Sequence, residues 1–456
     1  MSDTFSRRFF VGAASAAAAT RVIGANDKIN VGLVGLGGRG TNHLNIYARL
    51  PGARLAAICD VNQAAREVAN ASLFKITSEK AKEYPDMREV FADKNIDAVS
   101  IATPNHWHAL ATIWACKAGK DVYCEKPASH NIYEGQQMLK VSLETKRMVQ
   151  IGSQHRSTPF KMKGIEAMQQ GLIGKVYMAK GLCYKRRPSI GHKPDIATPA
   201  GINWDMFLGP APMRAFNELR FKYNWHWFWD TGNGDIGNQG VHEMGIARWG
   251  LGDPEFPKTA ISTGGKLAYE DDQETPNMQS AYFDFGNGRQ LSFEVRGLLT
   301  GGEGTPQTRI VRGPGAGPAT TATPAADEKP KSTPLNISVG NLFYGSEGWV
   351  AMSDAGFQAY KGESSELIME EKPERGRGAD ATGLHMENFL AACRSRNAKD
   401  LHDGIANAYI SAAMVHLANI SYRTGEKLTL APGPTFVNNA AANEMLTRKY
   451  RAPYVL

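Results

Sequence analysis

The hydrophobic pattern starts at Ile29, where Ile29-Asn-Val-Gly-Leu-Val34 forms a short, nearly continuous apolar run. A run of that kind, closed by glycine, suits a strand buried on both faces of a parallel sheet. It breaks at Gly35–Gly40, and a helical pattern follows through Leu50. Further strands are predicted over Arg54–Cys59, Asp97–Ala102, Lys120–Cys124 and Met148–Ile151, with helices ending at Gly119 and starting at His130. Strands alternating with helices in this way predict an α/β fold on an open parallel sheet.

Beyond residue 152 the rhythm changes. A helix is predicted over 159–170 and a strand over 176–184, then an aromatic run containing Trp225, Trp227, Phe228 and Trp229. The stretch Gly232–His242 starts glycine-rich and turns helical, which sets Asn238 and His242 four residues apart on one helix face. Helices over 385–396 and 403–424 carry apolar spacing suited to packing, so their histidines read as structural. Residues 301–334 are rich in Gly, Pro, Thr and Ala without periodicity and predict a flexible insertion. At 456 residues the chain exceeds one ordinary core, giving two domains, 27–152 and 153–456.

Composition is that of a globular protein, and a net charge of +7 from scattered lysines and arginines leaves no nucleic-acid footprint. The five cysteines have neither CxxC nor Cys/His spacing, so they read as buried apolar residues, and no metal site is expected. Residues 1–26 read as a twin-arginine signal segment: Arg7-Arg8 precede a mild apolar run, Val11–Ala19, and the small residues Gly24 and Ala25. That run is too short and alanine-rich for a stable membrane span. The expected partner is the twin-arginine export machinery, and the expected location is periplasmic or extracytoplasmic.

The chemistry is read first from Gly35-Leu36-Gly37-Gly38-Arg39-Gly40, a GxGxxG turn between strand and helix, with Asp60 ending the next strand. Gly35 permits the tight turn, Gly37 lets the backbone approach a pyrophosphate, and Gly40 lets helix and strand pack closely. The helix N-terminus faces the phosphates, and Asp60 accepts both ribose hydroxyls. Asp60 would repel a 2′-phosphate, so NAD is expected over NADP, with Arg39 the one residue favouring NADP. Thr103-Pro104-Asn105, His108 and Glu125-Lys126-Pro127 follow strand ends, where a parallel sheet binds its ligands.

These motifs, with Asn203-Trp204-Asp-Met-Phe-Leu-Gly-Pro-Ala-Pro212 and His385-Met-Glu-Asn-Phe-Leu390, resemble the Gfo/Idh/MocA oxidoreductases over nearly all the chain after residue 27. The resemblance implies a Rossmann domain followed by an α/β domain with a large open, mostly antiparallel sheet. It also implies NAD(P)-dependent redox chemistry on a sugar or cyclitol, and a homodimer or homotetramer. In the family pattern, Lys126 lies near the reacting hydroxyl and His242 is the acid/base, helped by an acid at the position of Asn238. Asparagine cannot accept a proton there, so Asp235 is the expected substitute. Family members often carry a further acid where this chain has Gly245. Arg187, in a basic turn, and Trp227 are expected to bind substrate along with Asn238 and His242.

The expected reaction is hydride transfer between nicotinamide and a sugar hydroxyl or ketone. His242 removes the hydroxyl proton and Lys126 stabilises the alkoxide. An exported enzyme has no supply of fresh NAD, so its cofactor should be bound tightly and recycled. Two other readings stand beside this one. A redox glycosidase would oxidise, eliminate, hydrate and re-reduce its substrate; a non-catalytic sugar-binding protein would explain the departures at Asn238 and Gly245.

Overall fold

A computed structural model describes residues 28–303, 334–362 and 366–456. The signal segment expected over 1–26, and the insertion expected over 301–334 from residue 304 to 333, lie outside the described residues. The first sheet contains β1 (Ile29–Val34), β2 (Ala53–Cys59), β3 (Lys82–Tyr84), β4 (Ala98–Ile101), β5 (Asp121–Cys124) and β6 (Val149–Ile151). All pairs are parallel, in the order β3-β2-β1-β4-β5-β6. The order reverses between β1 and β4, which opens a crevice beyond their carboxyl ends. Helices α1 (Gly38–Tyr47), α2 (Gln63–Thr77), α3 (Met87–Ala92), α4 (Asn105–Lys117) and α5 (Ile132–Thr145) connect these strands. Their starts follow local chemistry: the side chains of Asn62, Asp86 and Asn131 each accept a backbone N–H in the first turn of α2, α3 and α5.

The chain crosses to the second sheet through α6 (Pro159–Gln169) and β7 (Val176–Cys183). Three more helices, α7 (Trp204–Leu208), α8 (Gly234–Asn238) and α9 (Gly240–Gly250), precede β8 (Thr259–Gly265), β9 (Met278–Gly286) and β10 (Arg289–Arg296). Strands β11 (Val339–Gly345), β12 (Gly348–Ser353), β13 (Gly356–Lys361), β14 (Leu367–Glu371) and β15 (Leu428–Thr429) complete a nine-stranded sheet. Its order is β14-β13-β12-β11-β7-β10-β9-β8-β15, and only β7 and β10 pair in parallel. The expected two-part architecture with a large, mostly antiparallel sheet is therefore present.

Two long helices tie the halves together. Helix α11 (Ile405–Thr424) packs on α5 of the first half and on β8 and α9 of the second. Helix α10 (Ala381–Ser395) returns to the first half, where Met386, Phe389 and Leu390 join a cluster with Ile29, Val31 and Tyr123. The main apolar cluster is continuous across both halves, from Val99 and Ile101 to Phe343, Val350 and Met414. All five cysteines are buried thiols. His385 and His416 are buried in the two helices, His385 with Nε2 2.8 Å from the Ile151 carbonyl. No helix among the described residues is long and apolar enough to cross a membrane.

Candidate functional site

The crevice over β1 and β4 opens into a cavity of about 830 Å³. Its floor is the glycine turn. Gly35 has φ +90°, and a Cβ there would lie 2.7 Å from the Ala102 carbonyl. At Gly40 a Cβ would lie 1.9 Å from the Gly35 carbonyl oxygen, so only glycine lets α1 sit this close to β1. Gly37 and Gly38 are different: a Cβ at either would meet nothing within 4 Å, because both face the cavity beside Leu36. That open cradle at the start of α1 fits a pyrophosphate held by backbone N–H groups.

At the end of β2, Asp60 takes the Leu36 N–H at 2.7 Å on one oxygen and the Asn62 N–H at 2.8 Å on the other. The carboxylate is thus fixed at the cavity wall, where a ribose diol can reach it, and burial raises its pKa. Arg39 lines the cavity but is committed elsewhere. Its Nε donates to Glu125 at 2.6 Å and its Nη1 to Asn42 at 2.9 Å. The residue that favoured a 2′-phosphate is thereby tied into an ion pair.

Glu125 lies at the hub of the strand ends. Besides Arg39 it meets His43 Nε2 at 3.0 Å, and these partners hold its pKa well below the carboxylate range despite burial. Its neighbour Lys126, partly buried after β5, donates from Nζ to the Asn238 carbonyl oxygen at 2.7 Å and to Asn238 Oδ1 at 3.3 Å. Desolvation lowers the Lys126 pKa, with Glu125 opposing. The Lys126–Pro127 peptide is cis. Thr103, Pro104 and Asn105 also face the cavity. His108 fastens the two strand-end loops to each other, with Nδ1 2.7 Å from the Pro127 carbonyl and Nε2 2.9 Å from the Thr103 carbonyl.

The opposite wall comes from the second half: Met206, Phe207, Phe221, Tyr223, Trp225, His226 and Asn238. This segment is pinned to the first half by backbone bonds from Gln63 to Gly201 (2.9 Å) and from Asn203 to Val61 (3.0 Å). Tyr223, two residues before the aromatic run, and His226, inside it, are not among the site residues expected from the sequence. His226 stacks on Trp225 with ring centroids 3.6 Å apart, its Nδ1 lies 2.5 Å from the Tyr223 carbonyl, and burial holds its pKa well below normal.

The structure separates the residues expected on one helix face. The helix is interrupted at Gln239, where the His242 N–H reaches back only three residues, to the Gln239 carbonyl at 3.1 Å. Asn238 faces the large cavity, whereas His242 faces a chamber of about 10 Å³ behind it, and Lys126 lines both. His242 is buried, and its Nδ1 has no hydrogen-bond partner among the described residues. Burial drives its pKa well below normal, with His155 and Lys126 adding to the effect, so the imidazole is neutral.

Asp235 does not take the helper role expected of it. Its carboxylate is held by Arg187 through Nη2 at 2.6 Å and Nε at 3.0 Å, and Asn238 Nδ2 lies 3.3 Å away. An arginine fork matches a carboxylate in this way, and it takes both side chains away from His242. Trp227 is also placed otherwise than expected. It is buried and carries the Arg187 guanidinium on its face at 5.4 Å, while from the same run Trp225 lines the cavity. Arg187 does not line the cavity itself and is joined to it through Asp235 and through Tyr223, whose hydroxyl accepts from its Nη1 at 3.2 Å and from Asn238 Nδ2 at 2.9 Å. At Gly245 a Cβ would touch only Ser411, so the missing acid leaves room beside His242 in the small chamber.

A parallel sheet with a glycine cradle and a fixed acid, joined to a mixed sheet that supplies the other wall, defines a two-domain nucleotide-dependent dehydrogenase architecture. The comparisons with known proteins agree. Residues 29–153 match the family described as an oxidoreductase family with NAD-binding Rossmann fold, and 175–274 match that family's C-terminal alpha/beta domain. Over these two stretches the chain matches the Gfo/Idh/MocA oxidoreductases, the first stretch being that family's NAD-binding Rossmann domain. It is similar to an inositol 2-dehydrogenase/D-chiro-inositol 3-dehydrogenase of Shouchella clausii, at 32% identity over 33% of this chain and 43% of that protein. It is also similar to a glycosyl hydrolase family 109 protein of Saccharopolyspora erythraea, at 29% identity over 46% of this chain and 42% of that one. Each match thus spans less than half of the relative's length. The WlbA dehydrogenase of Bordetella pertussis, solved with NADH and UDP-GlcNAcA, shares the fold: TM-score 0.62 at 20% identity, covering 89% of this chain and 99% of that one.

Proposed function

We propose that the protein transfers hydride between NAD and a hydroxyl or ketone of a sugar or cyclitol, and that it retains its cofactor between turnovers. The observation that carries this reading is Lys126, held by Asn238 at the boundary between the dinucleotide cavity and the chamber of His242. Bound NAD would supply the hydride acceptor. In oxidation, Lys126 steadies the developing alkoxide and relays the hydroxyl proton to His242 in the chamber behind it. Similarity to the inositol dehydrogenase supports a cyclitol or sugar as substrate.

Retention is supported by the wall that Phe221, Tyr223 and Trp225 give the cleft, in a segment whose start is bonded to Gln63 and Val61 through Gly201 and Asn203. Arg7-Arg8 before an apolar run supports export of the folded, loaded protein by the twin-arginine route to the periplasm. Ile261 and Tyr282, paired across β8 and β9 and 46% and 58% exposed, support a homodimer or homotetramer formed through the sheet.

A redox glycosidase is the second reading, favoured by a second neutral histidine, His226, on the same cavity as Lys126 and Tyr223. Elimination needs a base besides the one that serves oxidation. The deciding experiment is to isolate the full chain from the exported fraction and identify its bound nucleotide by native mass spectrometry. Myo-inositol, free sugars and aryl glycosides are then added. Reduction of bound nicotinamide by a polyol supports the first reading. Aryl release without net NADH, with solvent deuterium entering at C2, supports the second. A protein that neither holds nor binds NAD would overturn both.

A further inference from the structure

A hydroxyl proton taken up beside Lys126 has to leave the protein, and dinucleotide and substrate would occupy the large cavity on that side. The structure offers a second exit on the far side of His242. The small chamber, about 10 Å³, has room on the order of one water molecule. Its polar lining includes Lys126, Ser153, His155, His242 and Ser411. The His155 ring meets His242 edge-on, with centroids 5.0 Å apart and planes at 81°.

Beyond His155 the groups run outward. His155 Nδ1 lies 2.7 Å from Lys161 Nζ and 3.3 Å from Asp354 Oδ1, and Lys161 Nζ donates to the same oxygen at 2.5 Å. The side chain of His155 is 15% exposed and that of Asp354, in the turn between β12 and β13, 78%, while Lys161 beside them is 3% exposed. A buried lysine and histidine converge on one surface carboxylate, and none of the three lines the cofactor cleft.

We propose that His155, with Lys161 and Asp354 positioning it, is a proton path joining the His242–Lys126 pair to bulk solvent at the β12–β13 turn. The proposal rests on the reading of that pair as the proton-handling groups. Oxidation of one hydroxyl sends the C–H hydrogen and both electrons to the cofactor as hydride and frees one proton. That proton passes from His242 through the chamber to His155 Nε2, and the Nδ1 proton leaves toward Asp354 and water. Reduction runs the same path inward.

Nδ1 suits this role because it borders a donor and an acceptor. Lys161 holds the tautomer with a bare Nδ1, and Asp354 holds the one with Nδ1–H. Asp354 stays ionised, its pKa lowered by its bond to His155 and by Lys161, so its charge favours the passing imidazolium. Two other buried acids lie in the region: Asp403, on the chamber wall, is taken up by Arg156 at 3.6 Å and Asn407 at 2.6 Å, and Glu243 carries its own proton at neutral pH.

The test is solvent exchange of the His242 ring N–H in the full-length protein with 15N-labelled histidine, the His242 signal being identified by its loss in His242→Gln. His155→Phe should slow that exchange at least tenfold. Asp354→Asn, which keeps a side-chain oxygen for Lys161 Nζ to donate to, should slow it severalfold. Exchange within twofold of wild type in Asp354→Asn and in any folded His155 variant overturns the path. No sugar is needed for this measurement, so it stands apart from the test of the proposed reaction.

Discussion

Lys126 Nζ is held 2.7 Å from the backbone oxygen and 3.3 Å from the side-chain oxygen of Asn238, so a neutral amide occupies the place where the family pattern puts a carboxylate. Nothing at that position adds charge to retain the lysine proton, and burial lowers the Lys126 pKa. Asn238→Asp should raise it, since an opposite charge at this distance commonly shifts a pKa by about 1–3 units. If neutral Lys126 takes part in moving the hydroxyl proton, the rising limb of the pH profile for oxidation moves to higher pH by about one unit or more. A limb that stays in place would remove Lys126 from the titrating step.

Removal of either proton-handling side chain should separate chemistry from binding. Lys126→Ala and His242→Ala are each expected to lower turnover by roughly a hundredfold or more, while NAD still binds to the glycine cradle. Single-turnover absorbance of the bound nicotinamide, together with nucleotide titration, checks both halves of the statement. Near wild-type turnover in both variants would dismiss the pair.

Asp60 should decide which dinucleotide is accepted. Replacing it by serine removes two ribose acceptors and the charge that opposes a 2′-phosphate. NAD affinity is expected to fall about tenfold, the equivalent of about 1.4 kcal/mol, with NADP affinity rising or holding. Calorimetric titration of wild type and Asp60→Ser with both nucleotides gives the comparison.

At Gly40 the constraint is steric. Gly40→Ala puts a methyl 1.9 Å from the Gly35 carbonyl oxygen, and backbone cannot rotate away as a side chain would. Overpacking of this kind costs about 1–3 kcal/mol, and the shift of α1 also spoils the cradle. Denaturant unfolding should show the loss, and NAD should restore less stability than in wild type. Gly37→Ala, where a Cβ meets nothing, is expected to keep the fold and weaken only nucleotide binding.

Glu243 makes a prediction about pH. Burial pushes its pKa up to about 8 from an ordinary 4.5, and one carboxyl oxygen has no partner among the described residues. The folded state therefore keeps a proton that the unfolded chain releases. The stabilisation is fully present below about pH 4.5 and is lost as pH rises through about 8. The slope is at most about 1.4 kcal/mol per pH unit over that window. Glu243→Gln, which cannot ionise, should flatten this part of the stability curve; an unchanged curve would show that the acid is not protonated in the fold.

What the sequence by itself determined is the part of the protein governed by local spacing. A glycine turn between strand and helix, an acid one strand later and Glu125-Lys126 at a strand end are placed by the alternation of elements, because a parallel sheet delivers every strand end to one edge. Tertiary structure decided the rest, since it depends on contacts between residues far apart in the chain. Arg187 claims Asp235 across 48 residues, Lys126 meets Asn238 across 112, and Lys161 meets Asp354 across 193. A four-residue spacing put Asn238 and His242 on one helix face, but the break at Gln239 turned them to different chambers. Trp227 and Trp225 are both indoles two positions apart, and only packing could tell which would be buried under an arginine and which would face the cofactor cleft. Periodicity fixes which residues share an element; the free energy of burying and pairing them across elements fixes what they face.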